Sequence, residues 1–67
     1  MPQHQLTGTR IRERRLTIGM RQADLAARVG ISGSYLNLIE HNRRRIASKL
    51  IGEIAVALGV DAAVLTE

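Results

Sequence analysis

The stretch from Arg21 to Glu40, RQADLAARVGISGSYLNLIE, decides how the rest of the chain is read. Leu25, Ala26 and Val29 fall at i, i+1 and i+4 and give a first short helix one apolar stripe. Gly30 follows directly, where a left-handed helix end needs a residue without a Cβ. Ile31 then plugs the turn, and Ser32 is placed to cap a second helix. Along that helix Leu36, Ile39 and Glu40 share one side, at i, i+3 and i+4. The reading is two short helices joined by a tight turn.

That arrangement is a helix-turn-helix. Gln22-x-x-Leu25-Ala26-x-x-Val29-Gly30-Ile31-Ser32, followed by Leu36-x-x-Ile39-Glu40, resembles the phage-repressor and Cro-like (XRE) family of DNA-binding domains. The likeness runs from about Ile11 to Leu65, and the combined spacing is far more specific than any single element of it. Tyr35-Leu36-Asn37-Leu38-Ile39-Glu40-x-Asn42-x-Arg44 also resembles the N-terminal domain of short-chain fatty-acyl transcriptional regulators. The resemblance implies an all-α, five-helix, lambda-repressor-like domain.

A chain of 67 residues allows one domain and one core. There is no cysteine, so disulfides and thiolate metal sites are excluded, and a reducing cytoplasm fits. No apolar run approaches ~18 residues, so no membrane span is expected. Residues 1–49 carry all ten basic side chains against Glu13, Asp24 and Glu40, a net +7; residues 50–67 carry Glu53, Asp61 and Glu67 and no base, a net −3. Such asymmetry points to one face made for a polyanion, although a basic surface also serves solubility.

Outward from the central stretch, residues 1–8 read as a flexible polar arm and residues 9–67 as the helix-turn-helix domain. Thr9 is placed to cap a first helix running to about Ile18, with Ile11, Arg15 and Ile18 on its inward stripe and Gly19 stopping it. Met20 is expected to pack at the junction. Position 21, usually Ser or Thr in the family, holds Arg21, so the cap of the second helix is lost and a cation stands at its start. Asn42 can turn left-handed and end the recognition helix. Ser48 is placed to cap a fourth helix with the stripe Ile51, Ile54, Ala55 and Leu58, ended by Gly59. Asp61 caps a last short turn of helix carrying Val64 and Leu65.

Which side chains face outward follows from about 100° of turn per residue. With Leu36 and Ile39 inward, Ser34, Leu38 and His41 point away from the core, flanked by Tyr35, Asn37 and Asn42. A recognition helix over about 32–41, laid in the major groove, would offer that strip to base edges. Asn37 suits bidentate pairing with adenine, Leu38 a thymine methyl, Ser34 either base or phosphate. The Tyr35 hydroxyl suits a phosphate. His41 stands beside an arginine cluster and forms no ligand set. Gly33 departs from the family, which often has a long polar residue there, so recognition leans on its neighbours or on DNA shape.

The resemblance further implies that Gln22 bonds a phosphate and that the loop Arg43, Arg44 and Arg45 runs beside the backbone, positioning without specifying. The candidate DNA-contacting set is therefore Arg21, Gln22, Ser32, Gly33, Ser34, Tyr35, Asn37, Leu38, His41, Asn42, Arg43, Arg44 and Arg45. Arg15 and Glu40 both lie on inward stripes with opposite signs. A charge facing a core needs a partner, so a buried ion pair is expected, as the resemblance also implies; separate snorkelling of both side chains is the alternative.

The expectation is a cytoplasmic, sequence-specific double-stranded DNA-binding domain of a transcriptional regulator, acting as a homodimer on paired half-sites. Any effector-binding region would lie outside these residues. The competing readings are the antitoxin of a toxin–antitoxin pair and a helical protein-interaction module. An enzyme is not expected: two histidines, no cysteine, no paired carboxylates on one face and no glycine-rich phosphate loop offer no catalytic set, and no metal or cofactor is expected.

Overall fold

Residues 4–66 are described by a computed structural model. The elements are α1 (His4–Thr17), α2 (Gln22–Val29), α3 (Gly33–Glu40), α4 (Ser48–Leu58) and α5 (Ala62–Thr66), with no strand among the described residues. The five-helix, all-α architecture expected from the sequence is the one observed. Helix α1 packs against α3 and α5, α2 against α3 and α4, and α4 against α5. Ile11, Leu25, Leu36, Ile39, Ile54, Leu58 and Leu65 meet in one sealed core. Each helix contributes at least one of them, so none of the five holds its place by local propensity alone.

The junction between α2 and α3 is built as its residues dictate. Gly30 takes φ 75° and ψ 32°, and Ile31 N–H donates back to the Ala26 carbonyl at 3.0 Å, closing α2. Ser32 stays extended, and its Oγ accepts the Tyr35 N–H at 3.0 Å. Asn42 ends the next turn at φ 60°, while Arg43 N–H donates to the Leu38 carbonyl at 2.9 Å. Asp61 Oδ1 accepts from Ala63 N–H at 3.0 Å and caps α5.

Three expectations at the ends of helices are corrected. Helix α1 starts at His4, so Thr9 lies inside it and caps nothing, and the arm expected at 1–8 is helical from residue 4; residues 1–3 lie outside the described part. Its inward stripe is Thr7, Gly8, Ile11 and Arg15, at i, i+1, i+4 and i+8. Ile18 falls in the turn after Thr17 and is 40% exposed, because the helix has ended before it can complete the stripe. The N-cap of α4 is Ala47, without a side-chain hydrogen bond, and Ser48 is the first helical residue.

The reason α1 can pass through Gly8 is a close crossing. A Cβ built at Gly8 would overlap the Ile39 carbonyl oxygen and stand 2.7 Å from Asn42 Oδ1. With hydrogen there instead, Gly8 N–H donates to Asn42 Oδ1 at 3.1 Å. Asn42 Nδ2 donates to Thr9 Oγ1 at 2.8 Å. The end of α3 is thereby fastened to the first turns of α1.

Candidate nucleic-acid interface

Helix α3 buries Leu36, Ile39 and Glu40 and turns the other side outward. Ser34, Asn37 and His41 are exposed and Leu38 is half-buried, as helical spacing requires. Gln22, Gly33, Ser34, Asn37 and Leu38 line one shallow depression between the starts of α2 and α3. Five residues of the candidate set, from two helices, are thus brought to one surface. Nothing lies within 4 Å of where a Gly33 Cβ would stand, so this rim is open.

Behind the depression sits the ion pair. Arg15 Nε donates to Glu40 Oε2 at 2.8 Å and Arg15 Nη2 to Glu40 Oε1 at 2.9 Å, a bidentate fork. The Glu40 side chain is fully enclosed and that of Arg15 is 10% exposed. Arg15 Nη1 also donates to the Met20 carbonyl at 2.9 Å, which fixes the end of α1 to the chain entering α2. The hydrogen bonds that Arg15 donates to Glu40 push its pKa above the ordinary arginine value, against desolvation that lowers it. For a cation whose pKa is raised in the fold, the stabilisation is complete below the ordinary arginine value and is lost only as pH climbs through the higher folded one. Arg15 therefore keeps its charge across physiological pH.

Gln22, half-buried at the start of α2, touches both the pair and the surface. Its Nε2 donates to Glu40 Oε1 and to Asn37 Oδ1, each at 3.3 Å. Sequence reasoning gave Gln22 only a phosphate. The partners lie 15 and 18 residues away, and no local pattern announces them.

The other candidates divide by where their side chains go. Arg43, Arg44 and Arg45 are exposed in the loop after α3. Tyr35 is half-buried against the core. His41 Nδ1 lies 2.8 Å from the Asn37 carbonyl; a carbonyl only accepts, so Nδ1 carries the proton and donates, leaving Nε2 outward. Ser32 Oγ accepts as the cap and keeps its own O–H free on an exposed residue, whereas Asn42 has both ends of its amide on α1 and holds the helix.

Arg21 is the uncapped start of α2, extended and without a side-chain cap, its Nε 3.2 Å from Asp24 Oδ2 in an exposed pair. Arg21→Ser is expected to stabilise the protein by about 1 kcal/mol, because the cap outweighs a surface ion pair. Urea denaturation checks the sign.

A helix-turn-helix family model matches residues 11–65. The propionyl-CoA carboxylase regulator of Cereibacter sphaeroides is 36% identical over 66 residues, covering 98% of this chain and 14% of that protein. The HTH-type transcriptional regulator RamB of Mycobacterium tuberculosis is 44% identical over 55 residues, 82% of this chain and 12% of its own length. Among solved structures, the restriction-modification controller protein C.AhdI from Aeromonas hydrophila superposes with a TM-score of 0.85 at 31% identity, covering 91% of this chain and 88% of that one.

Proposed function

The chain belongs to the helix-turn-helix family, and from that premise we propose that it reads double-stranded DNA for a transcriptional regulator, with α3 in the major groove. The observation that carries the reading is the depression lined by Gln22, Gly33, Ser34, Asn37 and Leu38 on the outward side of a capped, rigidly anchored helix. Base edges would meet Ser34, Asn37 and Leu38. Phosphates would meet Arg21, the start of α2 and the loop of Arg43, Arg44 and Arg45.

The curated relatives are far longer than this chain, which spans 14% and 12% of them. An effector-sensing part of the kind implied by the fatty-acyl resemblance is proposed to lie outside these residues. No described helix is long and apolar enough to cross a membrane, which fits work in the cytoplasm. Pairing of two copies on DNA is proposed from the likeness to the helix-turn-helix family. Two such domains would read half-sites about one helical turn apart.

Selection of bound sites from a random DNA pool tests both claims, since it yields a motif and a spacing. A pool that emerges without enrichment overturns the reading. Affinity should also fall steeply with salt. Replacing any one of Arg43, Arg44 or Arg45 by Ala is expected to weaken all DNA sequences alike and to flatten the salt slope by about one unit. A variant that changes base preference while keeping the slope removes that arginine from the phosphate contacts.

A further inference from the structure

The run Arg43-Arg44-Arg45-Ile46-Ala47-Ser48 ends on a hydroxyl that the fold does not use. Among the described residues, Thr9, Thr17, Ser32 and Thr66 have their hydroxyls in hydrogen bonds, and Thr7 is fully enclosed. Ser34 faces the depression assigned to DNA. Ser48 is exposed, and the helix it begins has no side-chain cap. The chain from Arg43 to Ala47 is irregular, and Ala47 is extended at φ −70° and ψ 149°. An uncapped first turn opens at little cost, so the segment through Ser48 can be drawn out as an extended strand.

We propose that Ser48 is a phosphorylation site, selected by a basophilic protein kinase through Arg43 and Arg45, and that its phosphate releases the domain from DNA. Arginines five and three residues before the hydroxyl offer two permanent cations to an acidic substrate groove. In the transfer, Ser48 Oγ bonds to the γ-phosphorus of magnesium-bound ATP. The bond to the bridging oxygen breaks, ADP leaves, and the hydroxyl proton passes to the kinase. The product carries about −1.5 to −2 charges at pH 7, a few residues from three exposed guanidinium groups. No acidic side chain stands in the first turn of α4 to repel it. Its oxygens pair with Arg43, Arg44 and Arg45 within the chain, at an effective concentration that DNA phosphates in solution do not reach. The release rests on the DNA-reading role proposed above; the modification itself does not.

The chain incubated with a basophilic serine kinase and magnesium-ATP tests this. Mass spectrometry should place the phosphate on Ser48 and not on Ser34, which has Ile31 and Val29 where Ser48 has Arg45 and Arg43. Ser48→Ala should take up no phosphate and bind DNA as the wild type does. The phosphorylated chain should keep its thermal transition and bind all DNA sequences more weakly, by roughly tenfold or more at low salt. Its salt slope should fall by about two units, as the loop arginines are taken. In the free protein, the side-chain Hε resonances of Arg43, Arg44 and Arg45 should move on phosphorylation while that of Arg15 stays, a readout that needs no DNA. No uptake at Ser48, unmoved arginine resonances, or DNA affinity unchanged by the phosphate overturns the proposal. So does a phosphorylated chain that has unfolded, since its weaker binding then owes nothing to the arginines. A wild-type chain without sequence-specific binding overturns the DNA reading and the release with it, while uptake and spectra still decide the site.

Discussion

Arg15→Met or Glu40→Leu alone is expected to cost about 3–5 kcal/mol, because each strands the opposite charge where water cannot reach it. At roughly 0.05–0.15 kcal/mol per residue, that is a large share of what 67 residues hold. Each single variant should lose its cooperative transition near room temperature and its DNA binding with it. The double variant should recover most of the loss, since two apolar side chains leave no charge unpaired. Recovery will be incomplete for a visible reason: the Met20 carbonyl loses Arg15 Nη1 and Gln22 Nε2 loses Glu40. Both groups are only partly buried, so water replaces the lost partners, and a residual cost of about 1–2 kcal/mol is expected. Urea denaturation of the four proteins gives the coupling directly. Single losses that simply add would show that the fork at 2.8 and 2.9 Å does not hold α3 to α1.

Gly8→Ala is expected to destabilise by about 3 kcal/mol or more, although the same exchange inside a helix ordinarily stabilises by about 1 kcal/mol. A methyl at Gly8 has only backbone and a pinned amide to meet. The Ile39 carbonyl cannot rotate away, since it also accepts from Asn42 N–H at 3.0 Å. The only relief is for α1 to lift from α3, breaking the Gly8–Asn42 bond and disturbing Ile11 beneath it. Gly52, in the middle of α4, supplies the contrast: nothing lies within 4 Å of its would-be Cβ. Gly52→Ala should therefore stabilise by about 1 kcal/mol. Melting temperatures of the two variants should move in opposite directions, and a shared direction would refute the crossing as the cause.

The same glycine shows where sequence reading stops. Gly8 beside Thr9 has the composition of a boundary, and a lone glycine is read as a breaker unless its neighbour in space is known. That neighbour, the Ile39 carbonyl, is 31 positions away. Local signals did well at three turns, Gly30 at the end of α2, Ser32 before α3 and the left-handed Asn42, and failed at Ser48, where the cap is Ala47 one residue earlier. Arg15 and Glu40 were also legible, because a charge on an apolar stripe demands an opposite one from somewhere. Ile18 misled because a seven-residue spacing carries no information about where a helix ends. At the candidate site, spacing gave the outward strip of α3 correctly but not the direction of any amide. Gln22 and Asn42 illustrate the limit: their chemistry suits DNA, and their partners in the fold take up the groups that would have reached it.

Gly33 carries a different implication. It stands on the rim of the depression with open space around it and takes no part in the contacts that hold α3. Its backbone is not left-handed, so any L side chain fits there. In the proposed role, position 33 would face DNA while Leu36, Ile39 and Glu40 anchor the helix. A lineage carrying this domain could change its target site through one codon at position 33, without passing through an unfolded ancestor.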